Sequence, residues 1–149
     1  MDLAQLIEPS RCLVDLRYAD KSACLGDLAK RAATALGIEA GPVAEALRAR
    51  EALGSTGLGN GIAVPHARLA NVTAPYVLVA RLREPIPFEA VDDKPVDVIC
   101  LALLPAAKTG EQLPVLACIA RRLREGTALA AARRARDVKG MFAALTAPA

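Results

Sequence analysis

The chain has 149 residues, a formal charge of +3 and one histidine, His66. That length suits a single domain over residues 1–149, and at this size roughly 70% of the unfolded chain's surface can be buried. A lone histidine excludes a zinc site built from several imidazoles of one chain. So mild a charge, with no aromatic residues between the Arg pairs at 121–122 and 133–134, argues against nucleic acid as a partner.

Cys12, Cys24, Cys100 and Cys118 form no C-x-x-C pair. They are expected to be buried small hydrophobes in a reducing compartment. Met1–Gln5 has neither a basic start nor an apolar run. The longest strongly apolar uncharged stretch, Val98–Ala107, is far shorter than the roughly 20 residues that span a bilayer. The expectation is a soluble, cytoplasmic protein with no membrane span and no metal.

Residues 11–17 read as a short strand. Asp20 can cap a helix whose apolar stripe is Leu25, Leu28, Ala29, Ala32 and Leu36, closed by Gly37. Gly41-Pro42 opens a second helix that runs to about Leu53 and stops at Gly54. Residues 54–61 hold four glycines in eight positions and read as an irregular loop able to take positive φ. A short apolar run, Ile62-Ala63-Val64, leads into Pro65-His66.

Two β-rich segments, 76–82 and 96–104, follow as strands. The second is apolar almost throughout, as a central strand covered on both faces must be. Thr109 and Gln112 form a capping-box pattern before a helix carrying Leu113, Leu116, Ala117, Ala120 and Leu123, expected to end at Gly126. Two short helical pieces follow, near 127–135 and 138–146. The fold class read from this order is α/β, one layered domain with a mixed central sheet flanked by helices.

Chemistry concentrates around His66. Pro65 fixes the backbone immediately before it, and a glycine-rich loop beside it can point N–H groups at an anion. The loop is not a nucleotide motif: it lacks a Gly-Lys-Ser/Thr ending, and Gly57-x-Gly59-x-Gly61 is not G-x-G-x-x-G. Helical spacing places Arg50 on one face with Val43, Ala46, Leu47 and Leu53. There it either snorkels to water or meets an anion, for which guanidinium is well shaped. Ser55 and Thr56 are either turn residues or hydrogen-bond donors to that anion.

The run from Arg50 to His66, Arg-Glu-Ala-Leu-Gly-Ser-Thr-Gly-Leu-Gly-Asn-Gly-Ile-Ala-Val-Pro-His, resembles the signature of the type-2 enzyme IIA domains of the phosphoenolpyruvate phosphotransferase system. These are the fructose, mannitol and nitrogen-regulatory IIA proteins. The likeness extends more loosely from Leu6, Ile7 and Pro9, through Lys21 and Leu28-Ala29, to Ala102–Pro105. It implies the fructose/mannitol-type IIA fold and a cofactor-free phosphocarrier. His66 would accept a phosphoryl group, on Nε2, from a phosphohistidine on an HPr-like carrier. Arg50 would clamp the group, with Ser55, Thr56, Gly57, Gly59 and Gly61 of the loop around it. No IIB or IIC sequence is attached, which favours the nitrogen-regulatory branch and an unidentified regulatory target protein.

Two positions depart from the family pattern. Relatives often carry a second histidine at the start of the helix after the central strand, where this chain has Gln112. An amide can donate to a phosphate oxygen but carries neither charge nor titrating proton. Gln112 also fits the third position of the Thr109 capping box, a purely structural role. Ala67 stands where many relatives have Gly. The competing expectation is therefore a non-catalytic interaction module with the same fold. A metal or Ser-His hydrolase fits the sequence poorly, since there is no second histidine and no G-x-S-x-G elbow.

Overall fold

The computed structural model describes residues 1–107 and 112–148. Two 3₁₀ turns, Leu3–Gln5 and Pro9–Arg11, lead into β1 (Cys12–Leu16). The Asp20 carboxylate accepts the Ala23 N–H at 2.8 Å and caps α1 (Lys21–Leu36). Gly37 closes that helix at φ +69°, the left-handed end that glycine takes without strain. Next comes α2 (Ala40–Leu53), with Gly41 and Pro42 in its first turn.

The spine of the molecule is an antiparallel pair, β5 (Tyr76–Ile86) and β6 (Val96–Pro105). β6 alternates as a doubly covered strand should. Val98, Cys100, Ala102 and Leu104 join one apolar cluster, and Ile99, Leu101 and Leu103 the other. The first cluster is covered by α3 (Gln112–Arg124), α4 (Gly126–Arg134) and α5 (Val138–Thr146), the second by α1 and α2. The mixed, layered α/β architecture expected from the element order is the one observed.

β1 lies parallel to the outer edge of β5. The opposite edge of β6 receives β3 (Ile62–Ala63) and β4 (His66–Leu69), both parallel to it. Ile62 stands opposite Val98 and His66 opposite Ala102. β3 and β4 are therefore one strand in unbroken register, interrupted at Val64-Pro65. β2 (Gly57–Gly59) pairs antiparallel with β3 at the sheet's edge.

Four expectations need correction. The glycine-rich segment 54–61 is not wholly irregular, since Gly57–Gly59 forms β2 and Asn60-Gly61 turns it into β3. Both turn residues have positive φ, +56° and +77°, the requirement of the tight hairpin turn that Asn-Gly favours. The glycine content of the segment masks the turn signal of that dipeptide. Leu53, expected on the buried face of α2, is 85% exposed; Glu51 is buried in that last turn instead.

The inner face of α3 is Val115, Cys118, Ile119, Arg122 and Leu123. Leu113 is 79% exposed. This helix carries apolar residues nearly all round, so periodicity alone could not choose its face. Gly126 does not end α3 but opens α4, one residue after Glu125. The Thr109 half of the expected capping box lies outside the described residues.

All four cysteines are free and buried. Burial pushes the Cys12 thiol up to about 11 and Cys24 to about 12, from an ordinary 9.0. The native state thus keeps protons that the unfolded chain releases, so stability must fall as pH rises through 9–12. Urea midpoints should be flat from neutrality to pH 8.5 and drop by pH 10.5, with no thiol-reagent labelling at pH 8 until the chain unfolds.

A second prediction concerns Gly57. A Cβ there would stand 2.6 Å from the Ala90 Cβ and 2.8 Å from its Cα. Gly57→Ala should therefore cost about 1–3 kcal/mol by forcing backbone apart, read as a lower urea midpoint at unchanged slope.

Candidate functional site

His66 opens β4 immediately after the break in the strand. Pro65 has no N–H, but its carbonyl accepts from Ala102 at 3.0 Å and keeps the chain on β6. The Val64 N–H faces away from β6 and donates to the Thr56 carbonyl across the hairpin at 3.0 Å. The Val64 carbonyl lies 2.9 Å from His66 Nδ1. A carbonyl only accepts, so Nδ1 must carry the proton. In the neutral ring, Nε2 then holds the lone pair.

The imidazole is half-buried on the α3 side of the sheet, beside two adjoining hollows of about 230 and 630 Å³. The smaller is floored by Leu58 and Val64, with Ser55 and Thr56 in its wall. Gln112, Leu113 and Arg68 line the larger. Arg50, His66 and Leu116 border both. His66, Arg50 and Gln112 thus meet at one place, although they come from a strand and two separate helices.

Arg50 sits in the last turn of α2, and its Nη1 donates to the Gly54 carbonyl at 2.8 Å. The guanidinium therefore satisfies one orphan carbonyl of its own helix end. Gln112 is the first residue of α3. Its Nε2 is buried without a hydrogen-bond partner among the described residues. Such a donor is costly to leave unpaired.

The structure does not bring the rest of the expected cradle to the hollows in the same way. The Ser55 hydroxyl donates to the Phe88 carbonyl and accepts the Gly57 N–H at 3.0 Å. The Thr56 hydroxyl donates to Glu51. Both side chains border the site, but their protons are spent on Phe88 and on Glu51 of α2. Gly57 packs on Ala90, Gly59 faces Asp92, and Gly61 faces Arg133 and Asp97. None of the three glycines lines either hollow.

Glu51 was missed as a site-building residue. Its side chain is 4% exposed, and it accepts the Thr56 N–H, the Thr56 hydroxyl and an ion pair from Lys21 at 3.4 Å. Lys21 also stacks over Phe88, 4.7 Å from the ring centre, and reaches Glu89 at 3.7 Å. A signal was available: Val43, Leu47 and Glu51 are spaced by four, so an acid fell on the buried stripe of α2. An isolated buried carboxylate would cost several kcal/mol, which these three partners offset.

With this geometry in view, the chain can be set beside known proteins. Residues 5–147 match the family described as phosphoenolpyruvate-dependent sugar phosphotransferase system, EIIA 2. The chain belongs to that family. It is 36% identical over 148 residues to a nitrogen regulatory protein of Bradyrhizobium diazoefficiens, covering 99% of this chain and 97% of that one. To the nitrogen regulatory protein of Pseudomonas aeruginosa it is 42% identical over 119 residues, covering 79% and 77% of the two chains. The crystal structure of nitrogen regulatory protein IIA-Ntr from Neisseria meningitidis superposes with a TM-score of 0.90 at 32% identity, over 97% of this chain and 99% of that one. The Escherichia coli IIA mannitol structure shares the fold, with a TM-score of 0.78 at 19% identity over 93% and 98% of the chains. No described helix is long and apolar enough to cross a membrane.

Glu51→Ala should destabilise the protein by about 2–4 kcal/mol, because it strands the Lys21 ammonium and two donors of Thr56. Glu51→Gln, which keeps an acceptor for Thr56, should cost clearly less. Urea unfolding of both variants checks the order.

Proposed function

We propose that this chain is a phosphohistidine carrier of the phosphotransferase system, and that its phosphorylation state sets the binding of a regulatory target protein. His66 Nε2 is the acceptor. The observation that carries this reading is the 2.9 Å contact of Nδ1 with the Val64 carbonyl. That bond spends the Nδ1 proton and holds the ring, so the other nitrogen is the nucleophile. Its lone pair forms the new N–P bond while the N–P bond of an HPr-like phosphohistidine breaks. The electron pair of that bond returns to the donor's imidazole, and no proton need move on this chain.

Phosphoryl transfer asks a protein chiefly for in-line positioning and positive charge around the phosphoryl oxygens. Arg50 supplies the charge, with the N–H groups not used on Gly54. Gln112 supplies a neutral donor, its buried Nε2, in the position where relatives often place a second histidine. Ser55 and Thr56 act by holding the wall of the site, since their hydroxyl protons are already engaged.

The similarity to proteins named nitrogen regulatory protein supports a regulatory output and a cytoplasmic setting, where the donor proteins of such a relay work. A phosphoryl group adds about −1.5 to −2 charges at pH 7, by analogy with phosphoesters. Placed in a hollow bordered by Leu58, Val64 and Leu116, that charge changes which surface can dock there. A second reading, a non-catalytic module, is favoured by Gln112 alone, because an amide cannot take or give a proton.

Incubation with phosphoenolpyruvate, enzyme I and an HPr-like carrier should add one acid-labile phosphoryl group. His66→Ala should abolish it, and Arg50→Ala should slow it by roughly 10²-fold, the usual loss for one charge-stabilising donor. Intact-mass spectrometry before and after acid reads both. Absence of labelling, where an active relative is labelled, selects the non-catalytic module.

A further inference from the structure

A hollow of about 440 Å³ opens between α1 and the β1–β5 edge of the sheet, within the size range of small-molecule sites. None of its lining residues borders the two hollows of His66. Its floor is apolar, made by Leu13 of β1, Leu78 of β5 and the ring of Tyr76. The Arg11 guanidinium stacks 4.4 Å from the centre of that ring and holds it in place.

One polar group of this hollow stands apart from the others. Tyr76 is only 4% exposed, yet no hydrogen bond of its hydroxyl occurs among the described residues. A buried tyrosine normally gives that group a partner, and leaving it alone is costly. The neighbouring groups are all engaged. The Ser10 hydroxyl donates to Glu8, and the Thr34 hydroxyl to the Lys30 carbonyl. The Asp27 carboxylate accepts from the Tyr18 hydroxyl, and from Arg31 Nε at 2.8 Å.

The charge balance is positive. Asp27 and Arg31 cancel as an ion pair, which leaves Lys30. Its ammonium is exposed on α1 and forms no ion pair among the described residues. An arriving cation would find the one lining carboxylate already neutralised; an anion would find an unspent ammonium and an unspent hydroxyl.

We infer that this hollow is a binding site for a small organic anion. Its apolar body lies on Leu13, Leu78 and Tyr76, and its carboxylate or phosphate meets Lys30 and the Tyr76 hydroxyl. An exposed ammonium alone holds an anion weakly in water. The apolar floor supplies the rest of the affinity and requires the ligand to carry apolar surface. Because the lining is separate from that of His66, the occupant leaves the histidine accessible and acts as an effector.

Four probes test this by amide chemical-shift titration of the ¹⁵N-labelled protein: benzoate, phenyl phosphate, benzyl alcohol and inorganic phosphate. Benzoate and phenyl phosphate should move the signals of residues 10–13, 27–35 and 76–78 saturably, and the tighter of the two identifies the head group. Benzyl alcohol and inorganic phosphate each lack one half of the ligand and should bind roughly tenfold more weakly or not at all. Lys30→Glu and Tyr76→Phe should each weaken the two organic anions roughly tenfold. Their urea midpoints should match wild type, since neither altered group has a partner within the protein. No saturation by about 20 mM, shifts confined to Arg50, His66 and Gln112, benzyl alcohol binding as tightly as the anions, or a wild-type titration in either variant would overturn the site.

Discussion

The site depends on a break in a strand. From Ile62 to Leu69 the chain follows β6 in one register, and successive residues of a strand point their N–H and carbonyl groups alternately toward and away from one neighbour. Gly61 and Pro65 give their carbonyls to β6, but Pro65 can donate nothing, and the strand is broken there. Val64 points away from β6, so its N–H extends the hairpin to Thr56 and its carbonyl is left to the imidazole of His66. One residue thus joins the hairpin to the sheet and orients the histidine. The strand resumes at His66, so the ring stands on a rigid element, which places a reacting group more accurately than a loop would.

Around that break, the polar groups of segment 51–57 are almost wholly committed to one another. Glu51 takes both donors of Thr56, Ser55 bridges Phe88 and Gly57, and Lys21 ties α1 to the same carboxylate. Each bond is worth about 1 kcal/mol net, but each buried group left alone would cost about 1–3 kcal/mol. The arrangement is therefore stabilised less by attraction than by the penalty for any alternative. That is why residues whose types suggest anion binding, the serine, the threonine and the glycines, serve instead to build the wall. The donors left over at the hollows belong to Arg50 and Gln112.

Much of the architecture was legible because it rests on short-range signals. Asp20 and Gly37 bound α1, and the unbroken apolar run of β6 required cover on both faces. His66 and Arg50 were legible for different reasons, one by being the sole histidine after a proline, the other by lying on an apolar helix face. The face of α3 was not legible. Leu113 and Val115 are equally apolar, and only the shape of the sheet decides which of them is buried. The Glu51–Lys21 pair escaped because its partners lie 30 positions apart, beyond any local pattern. The hairpin at Asn60-Gly61 was present in the sequence, but four glycines in eight residues suggested too little order there.

The remaining asymmetry lies between the two helix ends that face His66. Arg50 comes from a C-terminus, where a cation is favoured by the helix dipole, and its bond to Gly54 keeps the guanidinium placed in the absence of any anion. An anion that arrives meets a charge already ordered, so little side-chain entropy is lost on binding. Gln112 comes from an N-terminus, where the dipole favours an anion instead. Its neutral amide adds a donor without adding charge. Both ends therefore bias the hollow they share with His66 toward negative charge, one through a full cation and the other through a dipole. The chain has no second imidazole, so the donor at the α3 end is an amide, with neither charge nor titrating proton.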